Sequence, residues 1–178
     1  ILPAAPSPLD INSNNDGADT MTDGDTPTLA NPDWLRQLAA LPGTETELAG
    51  LADGAVGAAR IHTGNDATET RVKGDSALST ARTIVFATHG LLPGEMGAGS
   101  EPGLVLTPPE VASVVDDGLL TAAEVANLDL NARYVFLSAC NSASGTGNES
   151  LSALGRSFLY AGAEIGRASC RERVSSPV

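Results

Sequence analysis

From Asn31 onward, short apolar runs alternate with helix-start signals. PDWLRQLAALPG reads as a short helix stopped by Pro42 and Gly43. Thr44 and Glu47 then stand three apart ahead of LAGLA, the spacing of a capping box, and predict a helix over 45–52. AVGAARIHT (55–63) carries a weak strand pattern, and Asp66 with Glu69 is a second start signal, for a short helix over TETRVK. TIVFATH (83–89) is a continuously apolar, β-branched run that predicts a buried strand. GLVLT (103–107), closed by Pro108 and Pro109, and ARYVFLSA (132–139) predict two more. Between them Asp117-Gly118 marks a turn, and Thr121 with Glu124 forms a third capping box, for a helix near 122–127. A last helix begins at Asn148–Ser150, with Leu151, Leu154, Phe158 and Leu159 on one face. Strands alternating with helices predict an α/β fold with a mainly parallel sheet.

Both ends depart from this pattern. Residues 1–32 open with Pro3, Pro6 and Pro8 and continue as INSNNDGADTMTDGDTPT, the composition of a disordered arm or linker. The first residue is Ile1 and no basic segment precedes an apolar one, so the chain is expected to begin inside a longer protein, without a signal peptide. At the other end EIGRASCRERV (164–174) brings three arginines into a chain otherwise poor in them. It resembles the translation of a common sequencing adapter. Residues 164–178 are therefore expected to be a non-native tail that adds no strand, leaving 33–163 as the domain.

Composition narrows the function classes. The chain has 178 residues, 42% apolar, which suits one globular domain; with aromatics at 3% the core must come from Leu, Val, Ile and Ala. The net charge of −12 argues against nucleic acid and against an anionic membrane surface as partners, since both need a basic face. No apolar run approaches the roughly 20 residues of a membrane span. A cytoplasmic location is the default expectation. The two cysteines, Cys140 and Cys170, form no C-x-x-C and join no His cluster, so neither a metal nor a cofactor is expected.

Two places carry chemistry. In FATHG (86–90) an apolar run ends in His89 and Gly90; in FLSACNSA (136–143) another ends in Cys140 ahead of a Ser-rich loop. Ligands of parallel α/β sheets bind beyond the carboxyl ends of the strands, so two parallel strands would bring His89 and Cys140 to one edge. A thiolate attacks carbonyl carbon, and a neighbouring imidazole takes the thiol proton and returns it to the leaving amine. The backbone N–H groups of Gly90 and Cys140 are the natural donors for the oxyanion. A lone strand-end Cys is more often a small core residue, and a lone His-Gly a turn. His62, in RIHTG, competes for the role of base but lacks a long apolar strand before it.

FATHGLL, DDGLLTAAEVANLDLNARYVFLSACNSASG and LSALGRSFLYAGA occur here in order, and together with LPGTETEL they resemble the CHAT family, whose caspase-like domains often accompany TPR repeats. The similarity spans roughly 41–163. It implies a three-layer caspase-like sandwich, and His89 and Cys140 match the family's proposed catalytic dyad. The implied activity is a cysteine endopeptidase acting on protein or peptide substrates, with TPR repeats elsewhere in the parent protein. The family continues past YAGA with a further strand and helices, which the adapter-like tail replaces here. The sheet and substrate pocket are thus expected to be truncated and this fragment inactive. Two other readings stay open: a non-catalytic interaction or scaffold module on the same fold, and a phosphate-binding domain, for which GTGNES (145–150) lacks the G-K-[ST] ending.

Overall fold

The computed structural model describes residues 29–97, 99–138 and 147–168, without the side chains of 147–152 and 165–168. Two sheets organise them. Helices α1 (Pro32–Leu35), α2 (Thr44–Asp53) and α3 (Glu69–Gly74) lead into strand β1 (Thr83–Phe86). Strands β2 (Gly90–Leu91), β3 (Gly103–Val105) and β4 (Leu119–Thr121) follow, then α4 (Ala122–Ala126), β5 (Tyr134–Leu137), α5 (Gly147–Tyr160) and β6 (Ile165–Ala168). The larger sheet runs β1-β5-β6 with both pairings parallel; the smaller runs β2-β3-β4 and is antiparallel. The expected α/β class with a parallel sheet is present, together with an antiparallel sheet that the sequence did not announce.

One face of the parallel sheet builds the core. Ile84, Val135 and Leu137 are buried with Leu154 and Phe158 of α5 and Val125 of α4, and Phe86 packs its ring 5.5 Å from that of Phe158. The other face carries Tyr134 and Phe136, whose rings stack 6.1 Å apart, and Phe136 remains 39% exposed. The antiparallel sheet is buried on both faces, which explains the unbroken apolar run of GLVLT. Leu104 and Leu120 face the main core, while Leu91, Val105 and Leu119 pack with Leu35 and Ala30. Gly103 has no room for a side chain, since a Cβ would stand 2.9 Å from Leu119 Cγ and Leu120 O.

Several expectations are corrected. The helix after Asn31 stops at Leu35, far short of Pro42; its N-cap is Asn31, whose side chain accepts from the N–H groups of Asp33 and Trp34. Thr44 is not an N-cap. Gly43 takes that place at φ 93°, and the Thr44 hydroxyl donates backward to Leu41 O at 3.0 Å. The capping box at Thr121 and Glu124 does form. Residues 55–63 form no strand: their residues are largely exposed, and without a neighbouring chain the weak pattern has nothing to pair with. Leu159 is 47% exposed and leaves the apolar face that Leu154 and Phe158 share; the Leu151 side chain lies outside the described ones. The arm expected over 1–32 ends earlier, because Ala30 is buried and its N–H donates to Asp117 Oδ2 at 2.7 Å; residues 1–28 lie outside the described residues.

The expectation that 164–178 adds no strand is also wrong. Ile165–Ala168 pairs with all four residues of β5. The turn before it explains the register: Gly162 sits at φ 108°, and Glu164 N–H donates to Ala132 O at 2.8 Å, which lays the next residues along β5. A strand edge binds through its main chain, so the open side of β5 accepts an extended segment largely regardless of side chains.

Candidate active site

β1 and β5 are neighbours in register, Thr83 opposite Tyr134 through Phe86 opposite Leu137. The ladder continues one step further, with Ser138 N–H donating to Phe86 O at 2.7 Å. Both chains therefore leave the sheet at the same carboxyl edge. The β1 strand stops at Phe86, not at His89 as the apolar run suggested. Three residues carry the chain across to the antiparallel sheet: the Thr88 hydroxyl donates to Val105 O, and Val105 N–H donates to His89 O at 2.9 Å. His89 thus stands in the junction between the two sheets.

Its ring is held by the connector between α1 and α2. Nε2 lies 2.7 Å from Ala39 O. A carbonyl oxygen only accepts, so Nε2 carries the proton, and in the neutral ring Nδ1 is the bare lone pair. The ring is oriented with a base atom available.

Gly90 follows in β2, buried and opposite Leu104. Directly opposed residues in an antiparallel pair alternate between exchanging hydrogen bonds and not doing so. Because the adjacent pair, His89 with Val105, is bonded, Gly90 is a non-bonded position whose N–H points away from β3. Cys140, two residues past Ser138, lies outside the described residues, as does Cys170.

His62 is not drawn to this edge. Its Nε2 lies 3.6 Å from Asp75 Oδ2, on the chain leading into β1. The Ala77 N–H at 2.9 Å holds the Asp75 carboxyl below its usual range, with Arg60 and His62 adding to the effect. A polar cleft lined by Thr80, Arg82, Asn131, Arg133 and Glu164 lies at the amino ends of β1 and β5, opposite the His89 edge. Among the described residues no three His, Cys, Asp or Glu side chains converge as metal ligands would.

Sequence reasoning missed two polar features. One is the Ala39 carbonyl, which has no side-chain signature. The other is a buried cluster: the Glu69 carboxylate, 1% exposed, accepts from Lys73 Nζ and from the N–H groups of Asp117 (2.9 Å) and Gly118 (3.1 Å). Lys73 also donates to Glu124 Oε1 at 2.7 Å and to Val115 O at 2.9 Å. Burial pushes the Glu69 carboxyl up to about 7 against the pull of Lys73 and the Asp117 N–H. Burial opposes the charge on Glu124 too, but bonds from Lys73 and Thr121 hold it below its ordinary value. Burial likewise opposes the Lys73 charge, and the two carboxylates raise it. The cluster ties α3 to the Asp117-Gly118 turn and to α4. The i, i+4 spacing of Glu69 and Lys73 was legible; the approach of Glu124, 51 residues on, was not.

A family model described as the CHAT domain matches residues 5–171. The chain belongs to the CHAT domain family. Its fold family is therefore caspase-like, in keeping with the parallel sheet that places His89. The match runs past Ala163 and takes in β6. No curated protein and no solved structure matches the chain. No helix of this CHAT domain is long and apolar enough to cross a membrane among the described residues.

Proposed function

We propose that this CHAT domain is a cysteine endopeptidase that cleaves protein or peptide substrates through His89 and Cys140. The observation that carries the reading is the parallel pairing of β1 with β5, which sends the chains toward His89 and Cys140 from one sheet edge. Membership of a caspase-like family supports it.

The chemistry follows from the ring geometry. Nδ1 of His89 takes the Cys140 thiol proton while Nε2–H stays bonded to Ala39 O, which stabilises the imidazolium that forms. The thiolate attacks the scissile carbonyl carbon, and the tetrahedral oxyanion draws on the N–H groups of Gly90 and Cys140. His89 returns the proton to the amine as the C–N bond breaks. Water, deprotonated by the same imidazole, then attacks the thioester carbonyl; the C–S bond breaks, the acid leaves, and the imidazolium returns its proton to the Cys140 sulfur.

The test compares the purified parent protein with its Cys140→Ala form on an unbiased peptide library. Cleavage by the first and none by the second supports the peptidase; His89→Ala removes most activity without adding to the cysteine loss, and His62→Ala does little. Equal residual cleavage with and without Cys140 refutes the reading and favours a non-catalytic scaffold.

A further inference from the structure

The cleft at the amino ends of β1 and β5 takes no part in the proposed reaction, because it lies at the opposite edge of the sheet from His89. It has a volume of about 440 Å³ and is lined by Thr80, Arg82, Asn131, Arg133 and Glu164. The chain around it is strongly acidic, with a net charge of −12. In such a protein a cation readily meets a carboxylate, as Arg36, Arg60, Arg71 and Lys73 each do. Arg82 meets none among the described residues.

Arg82 also stands beside a second cation. Its carbonyl accepts the N–H groups of Arg133 at 2.9 Å and Tyr134 at 3.1 Å. The two arginines therefore enter neighbouring strands side by side, and both line the one cleft. Like charges placed together repel, and an anion between them relieves the repulsion. Arg133 is already held for such a contact: its guanidinium lies over the Tyr134 ring, 5.4 Å from the centroid. A planar fork fixed in this way loses little freedom when it takes a carboxylate. One carboxylate is present, since Glu164 Oε2 is 3.9 Å from Arg133 Nε. That contact is long and both side chains are mostly exposed, so it contributes little and yields to a better-placed anion.

We propose that this cleft is a docking site for an acidic peptide, in which a Glu or Asp carboxylate of the partner seats between Arg82 and Arg133. Guanidinium–carboxylate bonds are charge-assisted and, when bidentate, fix the direction of the bound group. Glu164 then accepts a main-chain N–H of the same peptide, which a carboxylate-bearing polypeptide offers beside its side chain. A phosphate dianion fits less well, because it brings no N–H for Glu164 and meets that carboxylate as a like charge. Docking here needs neither His89 nor Cys140, so it stands apart from the peptidase reading.

The test titrates the nitrogen-15-labelled full chain with a short acetylated and amidated peptide carrying a central Glu-Glu pair. Binding is read from the arginine Nε–H resonances, with those of Arg82 and Arg133 assigned by their loss in the Ala variants. The peptide should shift both resonances, and the same peptide with Gln-Gln should shift neither. Arg82→Ala and Arg133→Ala should each weaken binding by about tenfold or more. Arg82→Lys, which keeps the charge and loses the fork, should recover part of it. Arg71→Ala makes the same change in net charge on α3, outside the cleft, and should leave the affinity unchanged. Raising salt from about 0.05 to about 0.2 M should weaken the Glu-Glu peptide, since the contacts are exposed ion pairs. Absence of shifts with the Glu-Glu peptide overturns the proposal, as does equal binding of the Gln-Gln form. Equal affinities of Arg82→Ala and Arg71→Ala overturn it too, because attraction by overall charge then explains the binding. A phosphoserine peptide that binds more tightly than the Glu-Glu one overturns the carboxylate assignment in favour of a phosphopeptide. The peptide arms need no variant to fold, so the outcome does not depend on the substitutions.

Discussion

Glu69→Gln separates the charge of the buried cluster from its hydrogen bonds. Glutamine keeps one oxygen for the Asp117 and Gly118 N–H groups, which share Oε2, loses the second oxygen that takes Lys73, and has no proton to lose. In the native protein burial raises the Glu69 carboxyl from 4.5 to about 7. A carboxyl with a folded pKa above its unfolded one holds its proton more tightly when folded. Its contribution is therefore full below the unfolded value and is lost as pH rises from about 4.5 to about 7. At about 1.4 kcal/mol per pKa unit the loss amounts to about 3 kcal/mol. The offset between wild type and Glu69→Gln near pH 5, where Glu69 is mostly protonated in the folded protein, sets the baseline for the comparison. The variant should then gain up to about 3 kcal/mol on the wild type by about pH 8. Glu124, held below its ordinary value, gives stability that is lost only as pH falls below about 4.5, outside this window. Glu69→Ala is the contrasting perturbation: it leaves two N–H groups and Lys73 short of an acceptor and should cost about 3–5 kcal/mol. Urea unfolding followed by circular dichroism and by the fluorescence of Trp34, the single tryptophan, measures all three proteins. A difference between wild type and Glu69→Gln that stays flat across this range would refute the reasoning.

The same unfolding assay checks three further expectations. Phe158→Ala, at a fully buried ring packed against Phe86, should cost about 3–5 kcal/mol, while Leu159→Ala, at an exposed position, should stay within about 0.5 kcal/mol. Thr121→Ala should cost about 1 kcal/mol by removing a formed capping box, and Thr44→Ala clearly less, because Thr44 caps nothing. Gly162→Ala should cost at least about 3 kcal/mol or prevent folding, since its Cβ would stand 2.1 Å from Leu130 O at a φ of 108°; stability close to wild type would show that the turn into β6 is not built as described.

The local signals that survived are those whose partners are close in sequence. Thr121 and Glu124, three residues apart, cap the five-residue helix α4, and Leu154 and Phe158 share a face at four-residue spacing. Capping at Thr44 failed because Gly43, one residue earlier, reaches a left-handed conformation that starts the helix instead. The apolar run 83–89 holds β1 and the three-residue crossing to β2 of the other sheet, and hydropathy does not mark where pairing partners change. Strand β4 was missed because LLT is only three residues and borders a strong helix signal. β6 was missed because its sequence, read alone, looks foreign to the domain; it pairs through main-chain groups that composition does not report.

From the order of its motifs alone, this chain could be read as an α/β domain of the CHAT family, with His89 and Cys140 as the chemistry-bearing residues. Those are properties of side chains and of short-range periodicity. Only the tertiary structure decided that β1 and β5 are parallel neighbours, that a backbone carbonyl at Ala39 sets the His89 tautomer, that Glu47 meets Ser138, and that Glu69, Lys73 and Glu124 share one buried site. Each of these depends on groups 50 to 91 residues apart or on the main chain. Distance along the chain carries no pattern, and a carbonyl looks the same in every residue.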